Sequence, residues 1–203
     1  HPWLVGDDDP GTGALPILPP DGAVCGMIAQ RALARGAWIA PANEPLRGVV
    51  ELTPSLPRDD ASRLADSQVN LLGDEPHGIV ALAADTLARD PDLTGIHVRR
   101  LLILLRRIAL RVGPGYVFEP NGAVFQRLVR RGFEAVLDDL FARGAFAGDE
   151  RAAAYQLAVD TTASLADQGR FVVEMKVAPS QPMSFLTVRL IQSGDVGVVS
   201  EAR

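Results

Sequence analysis

Eight arginines are spaced so that they could act together. Arg99, Arg100, Arg106, Arg107 and Arg111 lie in "HVRRLLILLRRIALR" (97–111), and Arg127, Arg130 and Arg131 lie in "VFQRLVRRGF" (124–133). A guanidinium is a permanently charged fork of donors that matches carboxylate and phosphate geometry. The chemistry these residues offer is therefore recognition of an acidic surface, not bond making. Other reactive side chains are sparse. "GxSxG" is absent, as are a GK[ST] phosphate loop and a GxGxxG turn after a strand. His1, His77 and His97 show no metal-ligand spacing, and His97, at the start of a helical segment, reads as a surface or capping residue. "GDDDPGTG" (6–13) is acidic but lacks the twelve-residue calcium pattern and its closing Glu. Asp138 and Asp139 are adjacent on a helix and point different ways, and Asp160 before Thr161-Thr162 reads as a turn cap. Cys25 is the only cysteine, which excludes an internal disulfide and a CxxC zinc site; on an apolar segment it reads as packing. No cofactor, metal or catalytic residue is implied.

The elements that must position the arginines follow from hydrophobic periodicity. At about 100° per residue the five arginines of 99–111 fall within about 140° of arc. Leu101, Leu102, Leu104, Leu105, Ile108 and Ala109 fill the other side, and Ile103 and Leu110 sit inside the arginine arc. "GPG" (113–115) ends this helix. A second long helix opens at Pro120-Asn121, with Asn121 as cap and Gly144 as stop. In it Val124, Phe125, Leu128, Val129, Phe133, Val136, Leu137, Leu140 and Phe141 recur at three- and four-residue steps. Its polar face is basic early and acidic late (Glu134, Asp138, Asp139), an order that opposes the helix dipole and points to charges that serve a partner.

The rest of the chain is read more coarsely. Residues 1–20 carry five of the 15 prolines and read as an extended arm or linker, leaving 21–203 as one domain. Asp21 is a cap candidate for a helix over about 22–35 whose face holds Val24, Met27, Ile28 and Ala32; Gly36 stops it. A short strand is predicted near 49–52, a short helix in "PRDDASRLADSQV" and a strand in "GIVALAADTLA" (78–88). "YVFEPN" reads as a short strand or extended turn. Three β-type runs close the chain: 154–160, 170–178 and 184–192. The expected fold class is α+β, with long amphipathic helices packed on a small antiparallel or mixed sheet.

Composition narrows the partner. The formal net charge is -5, yet residues 94–143 hold nine arginines against four acids, or +5, so the remainder carries -10. That asymmetry favours contact between unlike protein surfaces. Aromatics are 5% of the chain and none interleaves with the arginines of 99–111, which argues against single-strand nucleic-acid binding. The apolar run 101–105 is far short of a bilayer span, and "HPWLVGDDDP" lacks a signal-peptide pattern and an initiator Met, as a fragment or processed product would.

Four blocks in order carry a resemblance. They are "PPDGAVCGMIAQRALARGAWIAPANEPLRGVVEL" (19–52), "GIVALAADTLARDPDLTGIHVRRLLILLRRI" (78–108), "YVFEPNGAVFQRLVRRGFEAVLDDLFARGAFAG" (116–148) and "DQGRFVVEMKVAPSQPMSFLTVRL" (167–190). Together they resemble the C-terminal, inner domain of contractile phage tail sheath proteins, a family that includes sheaths of phage-tail-like bacteriocins and contractile injection systems. Gln168 stands where the family usually has Asn, Ser184 where it often has an acid, and the outward domains that precede this region in typical subunits are absent.

The resemblance implies a structural, non-enzymatic subunit that assembles in the bacterial cytoplasm as part of a virion tail or phage-tail-like particle. Its partners would be neighbouring sheath subunits in hexameric discs, an inner tube and a baseplate, with no nucleic acid and no membrane insertion. Contraction would drive the tube through a target membrane. Arg127, Arg130 and Arg131 are first candidates for a tube-facing or subunit surface, and Arg99, Arg100, Arg106, Arg107 and Arg111 second. Phe185, Leu186, Thr187, Val188, Arg189, Leu190 and Ile191 are candidates for a strand exchanged between subunits, although the same run could equally pair with 170–178 of its own chain. A baseplate or cap component of the same fold and a nucleic-acid-binding module are the alternatives.

Overall fold

The computed structural model describes residues 2–7, 15–116, 122–160, 162, 165, 168, 170–179, 186–193 and 196–202. It is an α+β fold whose three sheets are all antiparallel. The chain divides into two compact units, His1–Arg99 and Arg100–Arg203.

The first unit contains a three-stranded sheet in the order β2-β1-β3, formed by β1 (Trp3–Gly6), β2 (Ile17–Leu18) and β3 (Val49–Thr53). It also contains helices α1 (Asp21–Arg35) and α2 (Arg58–Asp66) and the hairpin β4 (Leu72–Glu75)–β5 (Gly78–Ala81). The expected arm is extended, but its described part is built into the sheet: Leu4 and Val5 are buried, and Leu4 joins Met27, Leu46, Leu72, Ile79 and Ala81 in the core. Val24 and Ile28 pack against that cluster from α1, on the face the periodicity assigned. Asp21 begins α1 itself rather than capping it, and no side chain caps this end. Gly36 does end the helix, at φ 106, a left-handed angle that disfavours a β-carbon. Cys25 is exposed, not packed.

The strand expected over 78–88 stops at Ala81 for an identifiable reason. Asn70 uses its side-chain amide to bond both backbone groups of Asp85, accepting from its N–H and donating to its carbonyl at 2.7 Å each. Gln68 donates 3.1 Å bonds to the carbonyls of Thr86 and Ala88. Side chains thus satisfy a backbone that would otherwise need a strand partner.

His97 departs furthest from expectation. It is 6% exposed, and neither ring nitrogen finds a hydrogen-bond partner among the described residues. It approaches so near to Gly95 that a β-carbon there would lie 2.6 Å from Cε1.

The second unit holds the rest of α3 (Ile96–Val112), α4 (Ala123–Ala142), α5 (Arg151–Ala154) and a four-stranded sheet in the order β6-β7-β8-β9. Its strands are β6 (Tyr155–Asp160), β7 (Arg170–Val177), β8 (Leu186–Ser193) and β9 (Val196–Ala202). "GPGY" (113–116) is a 3-10 turn. Residues 117–121, including the cap candidate Asn121, lie outside the described residues, and Gly122 occupies the N-cap position of α4. Phe125, Val129, Phe133, Leu137 and Leu140 are the buried seam of α4. Phe125 meets Phe171 of β7 edge-to-face at 5.4 Å between centroids, and Tyr116 contacts Phe125, Phe133 and Phe171. Such geometry adds to the stabilisation from burial alone. Gly113 and Gly197 both close on the buried Gln192 side chain; a β-carbon at either would lie 2.7 Å from Oε1. That contact fixes the end of α3 against β8 and β9.

Two outcomes follow from this packing. Phe133→Ala should cost about 3–5 kcal/mol of stability, against less than about 0.5 kcal/mol for Val124→Ala on the exposed side, read by chemical denaturation. Burial holds the His97 pKa below its ordinary 6.5 despite the nearby Asp85 carboxylate. The unfolded ring therefore takes up protons first as pH falls below about 6.5, and stability declines there. His97→Leu should flatten that acid limb in melts followed from about pH 7 to about pH 5; an unchanged slope would refute the assignment.

Candidate functional site

The periodicity of α3 survives intact in the structure. Leu101, Leu102, Leu105 and Ala109 are buried, while Arg106, Arg107 and Arg111 are exposed and Arg99 and Arg100 half-buried. Ile103 (40% exposed) and Leu110 (38%) lie within the arginine arc, so the outward face is an aliphatic centre flanked by guanidiniums. Among the described residues Arg100, Arg106, Arg107 and Arg111 form no ion pair; Arg99 does have a polar interaction.

On α4 the first half of the outward face is similar. Val124 is 73% exposed and Leu128 47%, although both fit the apolar period. Arg127 and Arg131 lie beside Val124 on the same outward face, exposed and without an ion pair among the described residues. Arg130 is 3.9 Å from Glu134, one turn on. The acids of the second half are absorbed within the unit. Asp139 pairs with Arg143 at 3.0 Å. Asp138 pairs with Arg151 at 3.2 Å and accepts a hydrogen bond from the Tyr155 hydroxyl. Burial first, and that bond second, push the Tyr155 hydroxyl pKa up to about 12. The charge order that opposes the helix dipole is thus explained in its late half by local pairing, while Arg127 and Arg131 keep their charge for solvent or a partner.

The expected exchanged strand is placed differently. Phe185 lies outside the described residues. Leu186, Thr187, Val188, Arg189, Leu190 and Ile191 belong to β8, which pairs with β7 from Arg170↔Ser193 to Val177↔Leu186 and with β9 from Thr187↔Ala202 to Ser193↔Val196. Both of its edges are occupied, so it is interior rather than an edge strand. The outer edges of this sheet belong to β6 and β9. β9 was missed in the sequence, although "VGVV" (196–199) carries a strand signal.

Nothing in the described residues gathers three or more metal-ligating side chains, and no described helix is long and apolar enough to cross a membrane. The arrangement offers charged and aliphatic surfaces and, among the described residues, outer strand edges at β6 and β9, which are means of assembly.

No protein-family model and no curated protein matches the chain. Solved structures do. A chain of the anti-feeding prophage baseplate, 26% identical, aligns over 90% of this chain and 51% of its own length at TM-score 0.78. A chain of the PVC extracellular contractile injection system sheath complex in its contracted state, also 26% identical, aligns over 90% of this chain and 52% of its own at TM-score 0.79. The sheath tail protein of Desulfitobacterium hafniense, 12% identical, shares the fold over 95% of this chain and 44% of its own at TM-score 0.72. The chain therefore spans about half the length of these structures. In fold, and at 26% identity in sequence, the chain is thus similar to chains of contractile injection-system sheath and baseplate structures.

Proposed function

We propose that this chain is a structural subunit of a contractile tail sheath, which assembles with its own kind around an inner tube and contracts to drive that tube through a target membrane. The observation that carries the reading is the match over nine-tenths of the chain to injection-system sheath and baseplate structures. The surfaces suit the task. A sheath must hold its tube firmly enough to stay extended and release it on firing, so many weak, screened contacts serve better than a few strong ones. Arg127, Arg130 and Arg131, beside Val124 and Leu128, are the first candidates for a tube of opposite charge. The outer edges of β6 and β9 suit strand addition between subunits, and β9, at the end of the ladder, is the better candidate for exchange. Such a subunit needs no cofactor and no catalytic residue, contacts neither nucleic acid nor membrane, and is assembled in the bacterial cytoplasm.

A second reading has its own support, since one of the matched structures is a baseplate. A baseplate or cap component would bind a particle end without polymerising. Negative-stain electron microscopy of the purified chain, alone and with polymerised tube protein of the same particle, separates the two. Rings or helical tubes are expected for a sheath; monodisperse monomers that bind only tube ends would overturn it in favour of the adaptor. The triple variant Arg127→Glu/Arg130→Glu/Arg131→Glu should lose most co-sedimentation with tube while keeping its far-ultraviolet circular dichroism. Undiminished co-sedimentation would remove these arginines from the tube contact.

A further inference from the structure

The first unit carries a groove that the second unit's arginine stripe would fit. It lies between β3 and β4 and has a volume of about 420 Å³. Leu52, Leu56 and Leu82 give it an apolar lining, and Glu51, Asp74 and Glu75 stand along it as exposed carboxylates. Gly73 shapes its floor: Leu82 lies so close over it that a β-carbon would come within 2.8 Å of the leucine methyls. Leu56 and Leu82 remain solvent-exposed in the single chain, and the three acids form no ion pair among the described residues.

The outward face of α3 is the chemical complement. Ile103 and Leu110 form an aliphatic centre, and Arg106, Arg107 and Arg111 flank it without ion pairs among the described residues. Each surface is exposed in the chain that carries it and is open to a second molecule. We infer that the α3 stripe of one copy docks in the β3–β4 groove of another, its aliphatic centre on Leu52, Leu56 and Leu82 and its arginines on Glu51, Asp74 and Glu75. The contact is heterologous: two different patches meet, so every copy retains one free stripe and one free groove, and association propagates instead of stopping at a dimer. Opposite charges fix the register and exclude stripe-to-stripe or groove-to-groove pairing. The inference deepens the reading that copies of this chain assemble, but it does not involve the tube.

Charge reversal tests it. One variant carries Arg106→Glu, Arg107→Glu and Arg111→Glu; the other carries Glu51→Arg, Asp74→Arg and Glu75→Arg. Sedimentation velocity at low salt should show concentration-dependent association of the wild type, weakened at least about tenfold in either variant alone. An equimolar mixture of the two should recover it to within a few-fold, because each intact or reversed surface again meets its opposite. Recovery on mixing also excludes a contact made inside one chain, which a second chain could not repair. Association unaffected by either reversal, association lost but not recovered on mixing, or a wild type that stays monomeric would each overturn the inference. The failures are separable. Rings and tube decoration that persist in both variants would sink this contact and leave the sheath reading standing. Mixing-dependent association without rings or tube decoration would do the reverse.

Discussion

A guanidinium cannot leave water without a partner except at great cost, whereas a leucine gains by leaving it. That asymmetry sets the orientation of both long helices. In α3 the leucines at 101, 102 and 105 take the interior, so Arg106, Arg107 and Arg111 must take the exterior, and Ile103 and Leu110 are carried out with them by the helical repeat. In α4 the phenylalanine seam on β7 does the same for Arg127 and Arg131. The exposed apolar residues are therefore not packing errors. They lie where the pattern of charges leaves them, between arginines, and the composite surface is one that protein partners commonly use.

The sheets add a second constraint. Every strand pairing is antiparallel and most join strands consecutive in the chain, so each sheet is assembled largely from hairpin-like neighbours. Loops and side chains cover some backbone that has no strand partner, as Asn70 and Gln68 do for 85–88. Among the described residues no strand lies beside the outer edges of β6 and β9 in the second unit. A monomeric protein usually blunts such edges; an assembling one can use them.

Much of this was legible in the residue order, and the exceptions share a cause. α1, α3, α4, β6 and β7 emerged from periodicity because each needs only its own residues to define a face. Val124 and Leu128 obey the same period yet are exposed, because periodicity tells what could be buried but not whether an element lies opposite. His97 looked like a helix-end surface residue; it is buried, close against Gly95 and with the Asp85 carboxylate nearby, a tertiary environment that the helical pattern does not contain. β8 was expected to have a free edge only because β9 went unrecognised, its glycine, serine and glutamate diluting the strand signal. Of the candidate site, the arginine faces could be found by eye. The acidic groove could not, since it brings together residues 51–56 and 73–82, which belong to two different sheets.

The position of β9 has a mechanical consequence. Among the described strands it is an outer one of its sheet, held through one ladder to β8 and antiparallel to it, so that its last residues pair with the first of β8. Tension applied at residue 202 would load the Thr187↔Ala202 pair alone, then the next, opening the ladder one rung at a time at low force. β7 and β8, paired on both sides, could be extracted only by shearing many rungs at once. The sheet is thus compliant at its last strand and stiff at its centre, and can give up β9 under load while the body of the unit keeps its shape.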